Sequence, residues 1–265
     1  MSAIRFENVC KSFDEKVVLR DFSMEVQPGE TKVMLGGGGS GKTTILKMVL
    51  GLVKPDSGRI FVEDQEITSL TEAELMPIRK KIGMVFQEGA LFDSLTVGEN
   101  IAYRMREDGT CSEEEQEETV RQLLGFVELR DAMDKFPAEL SGGMMRRVGI
   151  ARALVGNPPI LLYDAPTAGL DPITARTICE LVIKLRDLEG VASIFVTHDL
   201  KAAKTLASEF AEAQPNGEVV FKSEEENLCL VNTHFVMLKD GTVLFEGTDE
   251  TLRNVNNEYI QDFLT

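Results

Sequence analysis

Basic residues are the scarce charge in this chain. Its 28 lysines and arginines face 44 aspartates and glutamates over 265 residues, giving a formal net charge of -16 and a pI near 4.7. Nonspecific hold on a nucleic-acid backbone needs clustered Lys and Arg, so no nucleic-acid partner is expected and any phosphate chemistry must be local. The cysteines Cys10, Cys111, Cys179 and Cys229 are scattered, with no CxxC pair and only two histidines to join them as ligands. Reduced, packed thiols are therefore the expectation. No run of about 18 apolar residues occurs, which excludes a spanning helix. The opening MSAIRFENVC has charges where a signal peptide needs an apolar core. Together these absences predict a cytosolic chain that does not cross a bilayer alone. Internal repeats are also lacking, so one site module is expected, on a chain long enough to bury a substantial core.

What is present alternates between two periods. TKVMLG (31–36), IGMVFQ (82–87), ILLYDA (160–165) and SIFVTH (193–198) are short apolar runs separated by helical patterns. Such a series reads as a parallel sheet covered on both faces, an α/β core. IRFENVC and FSMEV alternate apolar with polar residues as half-buried antiparallel strands do. HFVMLKDGTVLFEGT (234–248) reads as a hairpin turning at Asp240-Gly241. Between Gln87 and about Val155 no strand is evident. There Ser112 and Glu115 make a capping box ahead of an amphipathic helix carrying Val120, Leu123, Leu124 and Val127.

The predicted organisation is a single domain, 1–265, with an α/β core and antiparallel β subdomain in 1–87 and 155–248. A helical subdomain is expected at 88–154, an acidic β-ribbon insertion at 212–233 with its charge at Glu224 to Glu226, and a helical tail at 249–265.

GGGGSGKTT follows an apolar strand and precedes a helical pattern. It satisfies GxxxxGK[ST], with Gly36, Gly41, Lys42 and Thr43 in the fixed places and Gly37, Gly38, Gly39, Ser40 and Thr44 completing the loop. Glycines let backbone N–H groups wrap phosphate oxygens in conformations a Cβ obstructs. The helix N-terminus adds partial positive charge, Lys42 a full one, and the Thr43 hydroxyl a ligand for Mg²⁺. A flexible glycine linker would not run at once into Lys-Thr-Thr and an apolar helix. Asp164, ending an apolar strand, reads as a magnesium carboxylate, either binding the ion directly or holding one of its ligands. ATP or GTP binding is the expectation.

LSGGMMRRVGIARAL (140–154) resembles the signature of ABC transporter ATPases, and its spacing to LLYDAPTAGLDP fits that family. With VFQEG and FVTHD in order, the resemblance covers nearly the whole chain and implies a P-loop ABC ATPase fold with ATP and Mg²⁺ as cofactors. It implies that Phe13 stacks on adenine, a contact worth about 1–3 kcal/mol. It makes Gln87 a magnesium and water contact linked to a transmembrane partner, His198 the γ-phosphate switch histidine, and Asp171 a contact across a dimer. Ser141, Gly142 and Gly143 open a helix and so form an anion site, which in the family closes on ATP held by the other subunit. A homodimer with two sandwiched ATP molecules is thus implied, bound to a transmembrane permease at the cytoplasmic face of the inner membrane. His234 lacks motif context and is expected to be structural.

FQEGALFDSLTVGENIAY, Met144 in the signature and the ending EYIQDFL resemble the ATPases of Mla/Mce-type lipid transporters. That resemblance implies a phospholipid or other hydrophobic cargo and an MCE-domain partner. The 212–233 insertion departs from the pattern.

The family usually carries Glu where this chain has Ala165, and there it polarises the attacking water. Alanine has no proton acceptor, and loss of a positioned base typically costs a factor of about 10² to 10⁴. Three accounts fit: a degenerate subunit, a different base, or an active ATPase altered to hold ATP. The intact signature, histidine and Asp171 favour the third. A nonhydrolytic ATP-dependent clamp or regulator is the competing function.

Overall fold

The structure is a computed structural model and describes residues 1–109, 111–223 and 231–264. Strands β1 (Ile4–Phe13) and β2 (Lys16–Val26) form a hairpin, followed by β3 (Thr31–Gly36) and helix α1 (Lys42–Val49). Next come β4 (Ser57–Val62), β5 (Gln65–Glu66), α2 (Glu72–Arg79) and β6 (Ile82–Val85). Helices α3 (Val97–Asp108), α4 (Glu113–Phe126) and α5 (Gly142–Ala153) then run without an intervening strand. The chain returns through β7 (Ile160–Asp164), α6 (Pro172–Glu189), β8 (Ala192–Val196) and α7 (Leu200–Ser208). It ends with β9 (Glu209–Ala213), β10 (Val219–Ser223), β11 (Thr233–Lys239), β12 (Thr242–Gly247), α8 (Asp249–Arg253) and α9 (Glu258–Leu264).

The central sheet has the order β12-β11-β3-β8-β7-β6, parallel throughout except for β12. Its strands are apolar on both sides because both faces are covered. Val33, Leu35, Leu161, Tyr163, Phe195 and Phe235 join the core shared with α3 to α7. Their neighbours Met34, Leu162, Ile194 and Val236 point the other way, into a second core with α1, α2 and the antiparallel sheet β2-β1-β4-β5. Each fully buried side chain of this size contributes about 1.5–3 kcal/mol.

Local signals account for the element ends. Thr71, Thr96 and Ser112 each accept from the backbone N–H three residues on, and Glu74, Glu99 and Glu115 return the bond, so α2, α3 and α4 all begin with capping boxes. The β11–β12 turn places Asp240 at φ 50° and Gly241 at φ 79°, as a two-residue hairpin requires.

The ribbon read from the sequence at 212–233 begins earlier. β9 starts at Glu209, directly after α7, and pairs with β10 from Val219↔Ala213 to Ser223↔Glu209. Its first strand was hidden because EFAEA has weak β propensity and is held by packing on α6 and by Arg176, which donates to both Glu209 carboxylate oxygens at 2.6 Å. Glu224 to Glu226 and Cys229 lie outside the described residues. Among the described residues Cys10, Cys111 and Cys179 form no disulfide, no metal-ligand cluster occurs, and no helix is long and apolar enough to cross a membrane.

Candidate functional site

Four parallel strands end on the same edge of the sheet, and each hands over a motif there. β3 leads to the glycine loop, β7 to Asp164 and Ala165, β8 to His198, and β6 to Gln87. An open α/β sheet binds ligands in the crevice outside the carboxyl ends of its strands. The crevice here is a cleft of about 380 Å³ lined by Phe13, Gly38 to Thr44, Gln87, Asp164, Ala165 and His198.

The loop geometry explains its glycines. Gly36 has φ 145°, and a Cβ on it would stand 2.5 Å from the Leu238 carbonyl oxygen of β11. Lys42 opens α1 and folds back over the loop, donating from Nζ to the carbonyls of Gly36 and Gly37, both at 2.8 Å, and to Ser40 Oγ at 3.1 Å. Burial lowers its pKa, and the Asp164 carboxylate opposes that shift. Thr43 Oγ1 donates to Asp164 Oδ1 at 3.3 Å. Hydroxyl and carboxylate oxygens so placed beside a phosphate-binding loop are a donor set that fits Mg²⁺.

Phe13 is 46% exposed at the rim, so it is no core phenylalanine. The pKa of His198 is lowered by desolvation and by Lys42, with Asp164 and a hydrogen bond to the Gly36 backbone acting the other way. That shift favours the neutral imidazole, which retains a lone pair. Ala165 is buried at φ 49°, and its N–H donates to the Val196 carbonyl at 3.0 Å. A left-handed conformation costs a non-glycine residue about 1–2 kcal/mol. The chain holds this position in a strained conformation beside Asp164 although the side chain is only a methyl group.

Not every candidate reaches the cleft. Asp171 instead caps α6, accepting from the N–H groups of Ile173 and Thr174 and from the Thr174 hydroxyl. Those bonds, the Thr174 hydroxyl first, hold its carboxyl below the usual range. Ser141, Gly142 and Gly143 begin α5 outside this cleft, with Ser141 Oγ accepting from Met144 N at 3.2 Å. His234 lies away from the cleft near the start of β11, with Nδ1 2.8 Å from Glu30 Oε1.

A profile of the family described as ABC transporter matches residues 19–168. The chain belongs to the ABC transporter family of ATP-binding domains. A sulfate/thiosulfate import ATP-binding protein of Agrobacterium fabrum is 39% identical over 236 residues, covering 88% of this chain and 67% of that protein. A methionine import ATP-binding protein of Legionella pneumophila is 38% identical over 218 residues, covering 82% and 63%. The probable ribonucleotide transport ATP-binding protein mkl of Mycobacterium leprae is 36% identical over 204 residues, covering 77% and 59%. The matches thus span about two thirds of these relatives. Among solved structures, a dimeric ATP-binding cassette in a post-hydrolysis state with ADP and phosphate matches with a TM-score of 0.76 at 32% identity, covering 92% of this chain and 98% of that one.

Within this ABC domain, sequence reasoning missed a set of arginines. Arg146, buried on α5, donates to the carbonyls of Gln87 at 2.7 Å, Gly142 at 3.2 Å and Ala168 at 2.6 Å. Arg152 donates to those of Ala90 at 2.7 Å and Gly89 at 2.8 Å. Gly89, at φ 80°, packs so closely that a Cβ on it would lie 2.7 Å from the Met145 carbonyl oxygen. The turn carrying Gln87 is thereby fastened to the signature helix. Tyr259 of α9 was also missed: its Oη is 3.5 Å from the Cβ position of Gly37, and Lys239 Nζ stands 4.3 Å from its ring centroid. The one available cue was the run of arginines in MMRRVGIARAL. It does not reveal carbonyl partners, which every residue type carries.

Proposed function

We propose that this chain is the ATP-binding subunit that energises a membrane permease, working as a homodimer closed around two ATP molecules. The observation that carries this reading is the meeting of Lys42, Thr43 and Asp164 in one cleft rimmed by Phe13. The adenine would stack on Phe13, while the loop N–H groups and Lys42 hold the phosphates. Thr43, Asp164 and Gln87 would hold Mg²⁺, which when bound neutralises charge on the phosphate oxygens. His198 would present its imidazole to the terminal phosphate. Ser141 to Gly143, the N-terminus of a long helix lying outside its own chain's cleft, would close on the partner's ATP, with Asp171 nearby.

Hydrolysis needs a proton acceptor for the attacking water. Ala165 supplies none, so turnover of this chain is slow and the ATP-bound dimer is long-lived. The same residue favours a second reading, a nonhydrolytic ATP-dependent clamp or regulator.

The cargo reading is a phospholipid or another hydrophobic molecule, with an MCE-domain protein as the further partner. Its support is the likeness of FQEGALFDSLTVGENIAY and the Met144 signature to the Mla/Mce-type ATPases. The names of the similar proteins give sulfate, methionine and ribonucleotide as other cargo classes. The location proposed is the cytoplasmic face of the inner membrane, through the permease.

Copurification separates these readings. Recovery of the chain from membranes with a multispanning permease supports the transporter subunit. A chain that binds no permease when the two are coexpressed sinks it.

A further inference from the structure

We propose that Lys16 is a nucleotide-binding residue, a second cation that meets the phosphate chain on its adenine side. The inference rests on the ATP-site reading above and adds a residue that none of the sequence motifs contains.

The β1–β2 hairpin pairs Phe13 directly with Lys16 across a two-residue turn, Asp14-Glu15. Both side chains line the cleft together with Gly38 to Thr44. Lys16 Nζ stands 3.6 Å from the position that a Cβ on Gly39 would take, so the ammonium lies over the glycine loop itself. The ring that would receive the base and the cation above the loop are thus neighbours on one rigid hairpin.

The other lysines nearby are already committed. Lys42 Nζ is held by Gly36, Gly37 and Ser40. Lys11, whose ammonium is 5.2 Å from the Phe13 centroid, is paired with Asp56 at 2.7 Å. Lys16 makes no ion pair with any described residue. On a chain of net charge -16, a polyanionic ligand approaches against the overall field, and a cation at the mouth of the cleft offsets that repulsion locally. Because Lys16 sits between the base platform and the loop, its contact falls on phosphates that ATP and ADP share.

The test is calorimetric titration of the full chain with Mg·ATP and Mg·ADP, for the parent, Lys16→Ala and Lys16→Arg. The expected result is that Lys16→Ala weakens ATP and ADP by a similar factor, about three- to tenfold, and that Lys16→Arg stays within about twofold of the parent. The loss should shrink as salt is raised, while Tm is unchanged because the side chain is exposed. Lys16→Ala binding both nucleotides as the parent does would overturn the proposal. A parent that binds neither nucleotide overturns the ATP-site reading itself, a distinct outcome.

Discussion

Arg146 Nε donates to the Gln87 carbonyl at 2.7 Å, joining residues 59 apart in sequence. The same guanidinium reaches Gly142 at the start of the signature helix and Ala168 beyond the Asp164 strand. The turn after β6, the start of α5 and the loop after β7 therefore share one buried cation. Five donors in a fixed fork suit that task, which a lysine would perform only in part.

Replacing Arg146 tests the fastening directly. Arg146→Ala removes charge-assisted bonds to three carbonyls and should destabilise the fold by about 2 kcal/mol. For a domain of this size that is a fall in Tm of about 4–8 °C. Arg146→Lys should recover only part of the loss. An unchanged Tm in the alanine variant, measured by calorimetry, would show that the carbonyl bonds are not made.

Gly89→Ala examines the same joint from the other side. A Cβ there meets the Met145 carbonyl oxygen at 2.7 Å with φ at 80°, so both strain and displacement of α5 follow. The predicted cost is about 2–3 kcal/mol. Denaturant unfolding reads it, and a variant as stable as the parent contradicts the close approach.

His198 gives a pH signature. Its folded pKa lies below the ordinary 6.5, first through desolvation and then through Lys42. Between that lower value and 6.5 the unfolded chain binds the extra proton and the folded chain does not. Its contribution to stability is therefore present above pH 6.5 and is lost as pH falls toward the folded pKa. An NMR titration of the imidazole should give a midpoint under 6.5, and His198→Gln should flatten this part of the stability profile. A midpoint at or above 6.5 contradicts the partly desolvated placement of the ring near Lys42.

Lys42→Ala should abolish measurable ATP binding while leaving a folded chain, since the side chain's hydrogen-bond partners are the loop that cradles the phosphates. Equilibrium binding with a fluorescent ATP analogue checks this. Unchanged affinity would count against the whole site assignment.

Much of the architecture was legible because the signals are local. The strands at 31–36, 82–87, 160–165 and 193–198 read as continuous apolar runs, and both faces of their sheet are indeed covered. Ser112 and Glu115 marked the start of α4, and Asp240-Gly241 marked the last turn. The Gly36 to Thr44 loop announced itself through its glycines, of which Gly36 and Gly41 stand too close to neighbouring atoms to carry a Cβ without a shift. What stayed hidden depends on distant partners. Arg146 and Arg152 look like surface arginines until the carbonyls of Gln87, Gly89, Ala90 and Ala168 arrive from elsewhere in the chain. Asp171 precedes Pro172, a pairing that does signal a helix start, yet the motif drew attention to the dimer and away from the cap. Glu209 begins a strand that is held by its pairing with β10 and by Arg176 of α6.

The central claim is that this chain keeps the ATP–magnesium cleft and lacks the group that activates water. Ala165 directly follows Asp164 and is buried in the cleft lining at φ 49°. Phosphate release from Mg·ATP, compared between the parent and Ala165→Glu at equal nucleotide saturation, is the most direct measurement. The account predicts a rise of about 10² to 10⁴ with ATP affinity little changed. A rate that does not increase, in a variant that still binds ATP, would contradict it.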